Sequence, residues 1–187
     1  STPIKSSAAS DVYKRQVTSL ANLAIASLSS TMTVFSGQNL GAGNYRRLCR
    51  SAWLIPLSAG AITLSAGILV TIFCNPLLAL FTHDTAVLAF ATRYIHIVLP
   101  FTWMYAIMNV IMCFANGIGE IKYPTIVNLF ILWGVRIPVA YLLSRLGYGG
   151  YAMASVPLSF LAGMILMLFY FRTKRWAKLC ALAKNEP

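Results

Sequence analysis

The sequence predicts an all-α integral membrane protein with five transmembrane helices. Hydrophobic residues make up 58% of the chain and charged residues only 10%, whereas soluble domains contain about 25% charged residues. Residues 17–45 and 51–83 contain no charged residue, and each segment exceeds the roughly 20 residues that cross a bilayer as a helix. Because the basic residues cluster at the ends of apolar segments, the net charge of +11 indicates membrane topology and not nucleic-acid binding.

The first two predicted spans lie on either side of a glycine-rich turn. The first, at about residues 17–36, is rich in serine and threonine, and such small hydroxyl residues allow helices to approach closely in lipid. The second, at about residues 52–74, begins beside Trp53, which is expected at the membrane interface. It also contains Pro56, which is expected to bend the helix.

The glycine-rich turn is predicted to unwind the first helix on the cytoplasmic side. Its residues are Gly37, Gln38, Gly41, Ala42, Gly43 and Asn44. A phosphate-binding loop is excluded, because the second glycine of that motif would have to stand at Ala42. We therefore expect a hinge or turn in which glycines with positive φ end one helix before the next begins.

The third span is predicted at about residues 95–116, after a segment at 85–94 that lies along the outer surface. A single helix over residues 85–116 would be about 48 Å long, which exceeds the thickness of the bilayer. The helix is therefore expected to divide, with a distortion near Pro100 in the spanning part.

The fourth and fifth spans are predicted at about residues 124–143 and 151–171. Glycines are expected to end the third span, and a proline to begin the fourth. Within the fourth span, Arg136 pairs with a carboxylate outside this chain or with helix carbonyls, or it extends to the outer surface. The motif formed by this second turn and the fourth helix consists of Gly117, Gly119, Pro124, Arg136 and Pro138.

The distribution of basic residues predicts the orientation. Nine of them lie in the turns and tail assigned to the cytoplasm, and two, Arg93 and Arg145, lie in the outer segments. Basic residues are retained on the cytoplasmic side during insertion. The C-terminus is therefore expected in the cytoplasm, with residues 179–187 as a tail and Trp176 in the interfacial belt.

The N-terminal segment does not match this topology. Residues 1–16 carry three basic residues that would lie on the outer side. We interpret this segment as a foreign or disordered leader, such as a scar joined to a membrane bundle of residues 17–178. A short native tail that breaks the charge rule is the alternative.

Four short motifs, in order, carry a family resemblance. They are GQNLGAGNYRR (37–47) with NPLLALF (75–81) one helix later, FANGIGEIKYPT (114–125), WGVRIPVAYLL (133–143) and GYGGYAMASVPLS (147–159). Over about residues 17–178 the chain resembles the C-terminal half of the multidrug and toxic compound extrusion family. The resemblance implies that the five spans are the last five of a twelve-helix transporter with two lobes, and that the N-terminal lobe is missing from this chain.

The resemblance also implies a function for the full protein. It would be a multi-pass plasma-membrane antiporter, in the inner membrane of a bacterium, that exports organic cations or drugs in exchange for Na⁺ or H⁺. Its partners would be the lipid bilayer, small organic substrates and the N-terminal lobe, with no nucleic acid, metal or cofactor. In some family members a carboxylate on the tenth helix binds the coupling ion, and the nearest counterpart here is Tyr105. Because no predicted span contains an acidic residue, that carboxylate is expected outside this chain.

Several side chains inside the predicted spans are candidates to line a substrate or ion cavity. Flexible methionines and an aromatic ring suit flat lipophilic ligands, and asparagines offer amides within the membrane. Ordinary bundle packing is the alternative for the residues of the third span, and interhelical hydrogen bonding is the alternative for the asparagines of the first and fourth spans. The candidates are Met104, Tyr105, Met108, Asn109, Met112, Asn128 and Asn22.

Other functional classes are less well supported. An enzyme is not expected, because the HExxH and GxSxG motifs are absent. The four cysteines lack metal-ligand spacing and are interpreted as small packing residues. A lipid-linked oligosaccharide flippase is one alternative, although its cavity would need more cationic residues than Arg136. A non-transporting membrane domain or fragment is the other.

Overall fold

The described part of the protein is built from helices. The computed structural model describes residues 23, 25–73, 85–146 and 153–184. Between the helices, Leu99–Phe101 and Tyr170–Arg172 form 3-10 turns, and Ile131–Arg136 is a π-helical segment. The α-helices in these ranges are α1 (25–41), α2 (Tyr45–Ile72), α3 (Thr85–Val98), α4 (Thr102–Gly117), α5 (Lys122–Phe130), α6 (Ile137–Arg145), α7 (Ser155–Phe169) and α8 (Lys174–Lys184).

Four stretches of helix within the described ranges are long and apolar enough to cross a membrane. They are Tyr45–Ile72, Thr92–Gly117, Lys122–Arg145 and Ser155–Arg172, and they match the second to fifth predicted spans. The prediction of an all-α membrane protein is confirmed, and the distortion near Pro100 is present as the 3-10 turn between α3 and α4. The first predicted span begins outside the described residues and continues in them as α1, so the count of five stays a prediction. The predicted leader (1–16) and Asn22 also lie outside the described residues.

The turn between α1 and α2 reverses the chain over three residues. Gly43 has a φ of 73°, which glycine adopts without the steric cost that a β-carbon brings. Its amide donates to the Leu40 carbonyl at 3.2 Å, and the Asn44 amide donates to the Asn39 carbonyl at 2.9 Å. These two bonds form a Schellman motif, which satisfies carbonyls that the helix end would otherwise leave unpaired.

The turn between α4 and α5 repeats this geometry. Gly119 has a φ of 81° and its amide donates to the Asn116 carbonyl at 3.0 Å. The Glu120 amide donates to the Ala115 carbonyl at 2.8 Å. Pro124 lies in the first turn of α5, where its missing N–H has no intrahelical partner to lose. The positive φ of Gly43 confirms the prediction for the first turn, and Gly119 ends the third span as predicted.

The first turn is shorter than the sequence indicated. Gly37, Gln38 and Gly41 are helical, because α1 continues to residue 41 before the Schellman motif forms. Only residues 42–44 make the turn, and α2 begins at Tyr45 instead of near residue 52. The arginines that follow Tyr45 therefore lie on the first turns of a helix, and the expectation that Gly37, Gln38 and Gly41 form the turn is wrong.

Gly117 allows α1 and α4 to touch through their backbones. A β-carbon at Gly117 would overlap the Ser36 hydroxyl and stand 2.5 Å from the Thr33 carbonyl oxygen. A β-carbon at Gly37 would lie 3.3 Å from the Gly117 carbonyl oxygen. Small residues at helix contacts permit this close packing in membranes, so Gly117 and Gly37 are contact residues between two helices.

α4 is the central helix and packs against its other neighbours in the same manner. On the α2 side, a β-carbon at Gly60 would lie 2.8 Å from the Ile107 side chain. On the α7 side, a β-carbon at Gly163 would overlap the Met108 sulfur. The larger side chains of α4 therefore fit into grooves that glycines leave open on α2 and α7.

Two apolar clusters fill the space around α4. The first joins α4 to α1, α2 and α8, and the second joins α4 to α5 and α7. The fully buried members of the first include Ile25, Met32, Leu48, Ala59, Val110 and Phe114. The second consists of Met108, Ile111, Val127, Ile131 and Met167. Many other large apolar side chains are exposed on the outer faces of α2, α5 and α6, as expected for helices that contact lipid.

The π-helical segment Ile131–Arg136 interrupts the fourth span directly before Pro138. Proline has no N–H, and its ring clashes with the carbonyl four residues earlier, here that of Gly134. A π-turn widens the helix and relieves this conflict. Arg136, half-buried, ends the segment, and Pro138 is exposed in the first turn of α6.

The chain after the fifth span forms a helix that packs on the end of the bundle. Thr173 caps α8, since its hydroxyl accepts a hydrogen bond from the Trp176 amide at 3.4 Å. Trp176 is only 8% exposed, and its ring lies edge-on to Phe171 at 4.9 Å and to Phe114 at 5.8 Å. The prediction of Trp176 in the interfacial belt is therefore wrong, because α8 folds back and buries this side chain in the first apolar cluster.

We predict that Gly117→Ala lowers the free energy of unfolding by about 1–3 kcal/mol, the usual range for overpacking a tight contact. The reason is the overlap of the new methyl group with Ser36 and Thr33. Thermal unfolding of the detergent-purified protein measures the effect. Gly41→Ala is the matched control, because Gly41 is helical with nothing within 4 Å of its β-carbon position. Equal destabilisation by both substitutions would contradict the close contact of α1 and α4.

Candidate functional site

Asn109 is the centre of a polar group between α1 and α4. Its side-chain oxygen accepts a hydrogen bond from the Ser29 hydroxyl at 2.7 Å, and its amide nitrogen donates to the Tyr105 hydroxyl at 3.3 Å. The Cys113 thiol lies 3.9 Å from the same oxygen. The Asn109 amide is thus held by neighbours on two helices.

A second contact joins the same two helices one turn further along. The Thr33 hydroxyl lies 3.2 Å from the Ser29 carbonyl on its own helix and 3.3 Å from the Cys113 carbonyl on α4. Such hydroxyls can share one hydrogen between two carbonyls and so link helices in lipid. Together with Ser29 and Asn109, Thr33 fixes the rotation of α1 relative to α4.

The predicted methionines lie mainly in packing positions. Met108 is 5% exposed and belongs to the second apolar cluster, where it fills the groove at Gly163. Met112 is half-buried against the same cluster, and Met104 is half-buried nearer the start of α4. Tyr105 packs against both clusters, with its ring 5.0 Å from that of Phe160. The predicted set is therefore split, with Tyr105 and Asn109 in the polar group and Met108 and Met112 in the apolar core.

The remaining predicted site residues are not brought together with this group. Asn128 is exposed on α5, whereas the buried residues of that helix are Pro124 and Val127. Arg136 is the last residue of the π-helical segment of the fourth span, away from the polar group around Asn109. Asn22 is outside the described residues.

One side of α1 is left uncovered by the described residues, and it carries three hydroxyls and an amide beside the exposed apolar side chain of Val34. Ser30, Thr31, Val34, Phe35 and Gln38 line an open cavity of about 420 Å³. The buried residues of α1 are different ones, among them Ile25, Ser29, Met32, Ser36 and Asn39. We call the exposed residues Ser27, Ser30, Thr31 and Gln38 the α1 polar face.

The hydroxyls of the α1 polar face are partly satisfied by their own helix. Ser27 donates to the Leu23 carbonyl at 2.9 Å, and Thr31 donates to the Ser27 carbonyl at 2.8 Å. The sequence predicts that the serines and threonines of this helix pack against other helices, so the uncovered face is not predicted. The signal for an uncovered face was the spacing of Ser27, Thr31 and Gln38 at four and seven residues, which places them along one side of a helix.

Comparison with known proteins decides the family. The family model described as MatE matches residues 13–142, well over half of the chain. The chain belongs to the MatE family. This is a family of membrane transporters and not of enzymes, which confirms the prediction that the protein is not an enzyme. The match includes the last residues of the segment predicted as a leader.

Three curated bacterial relatives of the MatE chain illustrate the similarity. The probable multidrug resistance protein YoeA of Bacillus subtilis is 27% identical over 165 residues, which cover 84% of this chain and 34% of the relative. The probable multidrug resistance protein NorM of Thermotoga maritima is 24% identical over 177 residues, or 91% of this chain and 37% of the relative. The uncharacterized transporter YisQ of B. subtilis is 26% identical over 175 residues, which cover 88% of this chain and 37% of the relative.

The MatE chain spans about a third of the length of the curated relatives it matches. No solved structure is significantly similar to it. The family match supports the resemblance inferred from the sequence motifs.

We predict that Ser29 and Asn109 are energetically coupled by about 0.5–1.5 kcal/mol, as measured for interhelical hydrogen bonds in membranes. A double-mutant cycle of Ser29→Ala and Asn109→Ala, read from unfolding free energies in detergent micelles, measures this coupling. Ser27→Ala is the control for Ser29→Ala in the cycle. The Ser27 hydroxyl donates to the Leu23 carbonyl of its own helix and not to Asn109. Equal coupling of Asn109 to both serines would show that the contact with Ser29 is not specific.

Proposed function

We propose that this chain is part of a secondary active antiporter that exports organic cations or drugs in exchange for Na⁺ or H⁺. Membership of the MatE family and relatives named as probable multidrug resistance proteins support this role. The observation that carries the proposal is the α1 polar face, which the described helices leave uncovered. It would form one wall of the substrate pathway.

The α1 polar face is poorly suited to contact lipid. Hydrocarbon offers no hydrogen-bond partner, so an uncovered polar group in it costs free energy. Serine and threonine hydroxyls can bond to their own helix, as Ser27 and Thr31 do. The Gln38 amide carries two donors and an acceptor and is exposed at the end of α1. Water or another protein surface is therefore the better neighbour for this face.

The cavity beside this face is open on one side, which fits one half of a larger site. Transporters with two repeats bind substrate near the middle of the membrane between the repeats, and rock one repeat against the other. We place this chain as the last five of twelve helices, with the α1 polar face towards the cleft. The N-terminal lobe of the same protein would supply the opposite wall.

The charges of the described spans suggest how binding is divided between the two lobes. None of the four membrane-crossing stretches contains aspartate or glutamate. The uncovered face instead offers hydroxyls, an amide and the Phe35 ring, and an aromatic face attracts organic cations. The carboxylate that binds Na⁺ or H⁺ would then come from the remainder of the protein, and its occupancy would bias the equilibrium between the two lobe arrangements.

The same charges support a location and an orientation. The basic residues at the start of α2 and the end of α7 lie at the end of the bundle that carries both Schellman turns. Basic segments are retained in the cytoplasm and are attracted to anionic lipid heads. We propose a multi-pass plasma-membrane protein, in the inner membrane of a bacterium, with α8 on the cytoplasmic side.

We predict that Thr31→Trp in the full-length transporter reduces dye export to near the level of cells without the transporter. The indole would fill the cavity beside α1 while leaving the α4 contact untouched, because Thr31 is exposed and bonds only within its helix in the described contacts. Efflux of a fluorescent cationic dye from intact cells measures the effect. Ser58→Trp is the matched control, since Ser58 is also exposed, on α2, and its hydroxyl also bonds within its own helix, to the Ile55 carbonyl.

Three outcomes would argue against the proposal. Equal export by the Thr31 variant and the unmodified transporter, at equal membrane abundance, would remove the α1 polar face from the pathway. Dye export that persists after collapse of both the Na⁺ and H⁺ gradients would exclude antiport. A full-length protein that moves no dye under any gradient would favour the flippase or the non-transporting alternative.

A further inference from the structure

Two cysteines from distant parts of the chain meet at one end of the bundle. The sulfur atoms of Cys49 and Cys180 are 3.6 Å apart, although the residues are separated by 131 positions. Neither cysteine is in a disulfide, and both are half-buried. Cys49 lies near the start of α2 and Cys180 near the end of α8.

Core contacts hold the two thiols at this distance. Each cysteine follows a buried leucine, Leu48 at 0% and Leu179 at 8% exposure, and both leucines belong to the first apolar cluster. Trp176, one turn before Cys180, is buried in the same cluster. The pairing of the thiols therefore follows from the docking of α8 and not from mobile surface side chains.

The surroundings favour thiol oxidation over metal binding. No third histidine, cysteine or acidic side chain converges on the pair within the described part of the chain, and structural zinc sites use four ligands. The neighbours Arg50 and Lys178 are exposed, so water reaches this end of the bundle. A disulfide requires about 2.05 Å between the sulfur atoms, so each sulfur has to move by less than about 1 Å.

We propose that Cys49 and Cys180 form a reversible disulfide when the protein meets a peroxide, and that this bond fastens α8 to α2. One thiolate attacks hydrogen peroxide, which breaks the O–O bond, gives a sulfenic acid and releases hydroxide. The second thiolate then attacks the sulfenic sulfur, the S–O bond breaks, and the oxygen leaves as water once protonated. Overall, two thiols are oxidised to one disulfide and one peroxide is reduced to two waters.

The bond would restrain a specific part of the molecule. α2 begins directly after the turn at residues 42–44, and α8 otherwise depends on apolar packing and the Thr173 cap. The disulfide makes the position of α8 independent of these contacts. In the proposed orientation both thiols face the cytoplasm, where the glutathione pool keeps them reduced and disulfides are transient. The chemistry itself does not depend on whether the protein transports drugs.

Peptide mapping of the full chain tests the pairing. The detergent-purified protein is treated with a small molar excess of hydrogen peroxide, its remaining thiols are blocked with a maleimide, and it is digested with trypsin. Cleavage after Arg47, Arg50, Lys178 and Lys184 places the two cysteines in the peptides 48–50 and 179–184. We expect one species that contains both peptides, two hydrogen atoms lighter than their sum, which a thiol reductant separates again.

Single variants test whether the site is specific. Cys49→Ser and Cys180→Ser should each abolish the linked species, while Cys113→Ser should leave its yield unchanged, because Cys113 contacts Asn109 inside the bundle. Thermal unfolding should shift to higher temperature on oxidation of the unmodified protein and not of either serine variant. Linkage of Cys49 to another cysteine, linkage between chains only, or oxidation of Cys113 as fast as of the pair would overturn the proposal.

Discussion

The backbone contact between α1 and α4 at Gly117 is the constraint on which the rest of the site depends. With no side chain at this position, the Ser36 hydroxyl and the Thr33 carbonyl can lie against α4. This contact brings Ser29 within hydrogen-bond distance of Asn109 one helix away. It also sets the rotation of α1, so that one side of the helix is buried and the α1 polar face is turned away from the bundle.

The same physical principle recurs around α4. In lipid, exposed apolar side chains are already in a favourable environment, so helix association depends on close packing and on polar contacts between helices. Glycines on α2 and α7 receive Ile107 and Met108 of α4, while leucines and isoleucines of the outer faces stay exposed. Glycines therefore mark the closest helix contacts, while many large apolar side chains stay on the outer faces.

Polar groups in this bundle have two different roles, which only their neighbours distinguish. Asn109 is occupied by Ser29 and Tyr105 and stabilises the contact between α1 and α4. Gln38, with the same amide chemistry, is exposed beside an open cavity. For the proposed transport role this difference matters, because a substrate can bind only to groups that the fold leaves accessible. The end of the bundle with the basic residues has another function in the fold, since α8 and its aromatic contacts close it.

The sequence by itself determined the membrane class, the positions of the second to fifth spans within several residues, the glycines at the two tight turns and the break near Pro100. These features depend on local properties: the length of an apolar segment, the steric freedom of glycine and the missing N–H of proline. The motifs also identified the family. The tertiary structure decided which side of each helix is covered, and so moved Met108 and Trp176 into the core and left the α1 polar face open. It alone brought Cys49 to Cys180, because contacts between helices join residues more than a hundred positions apart, and no local pattern in the chain encodes such a distance.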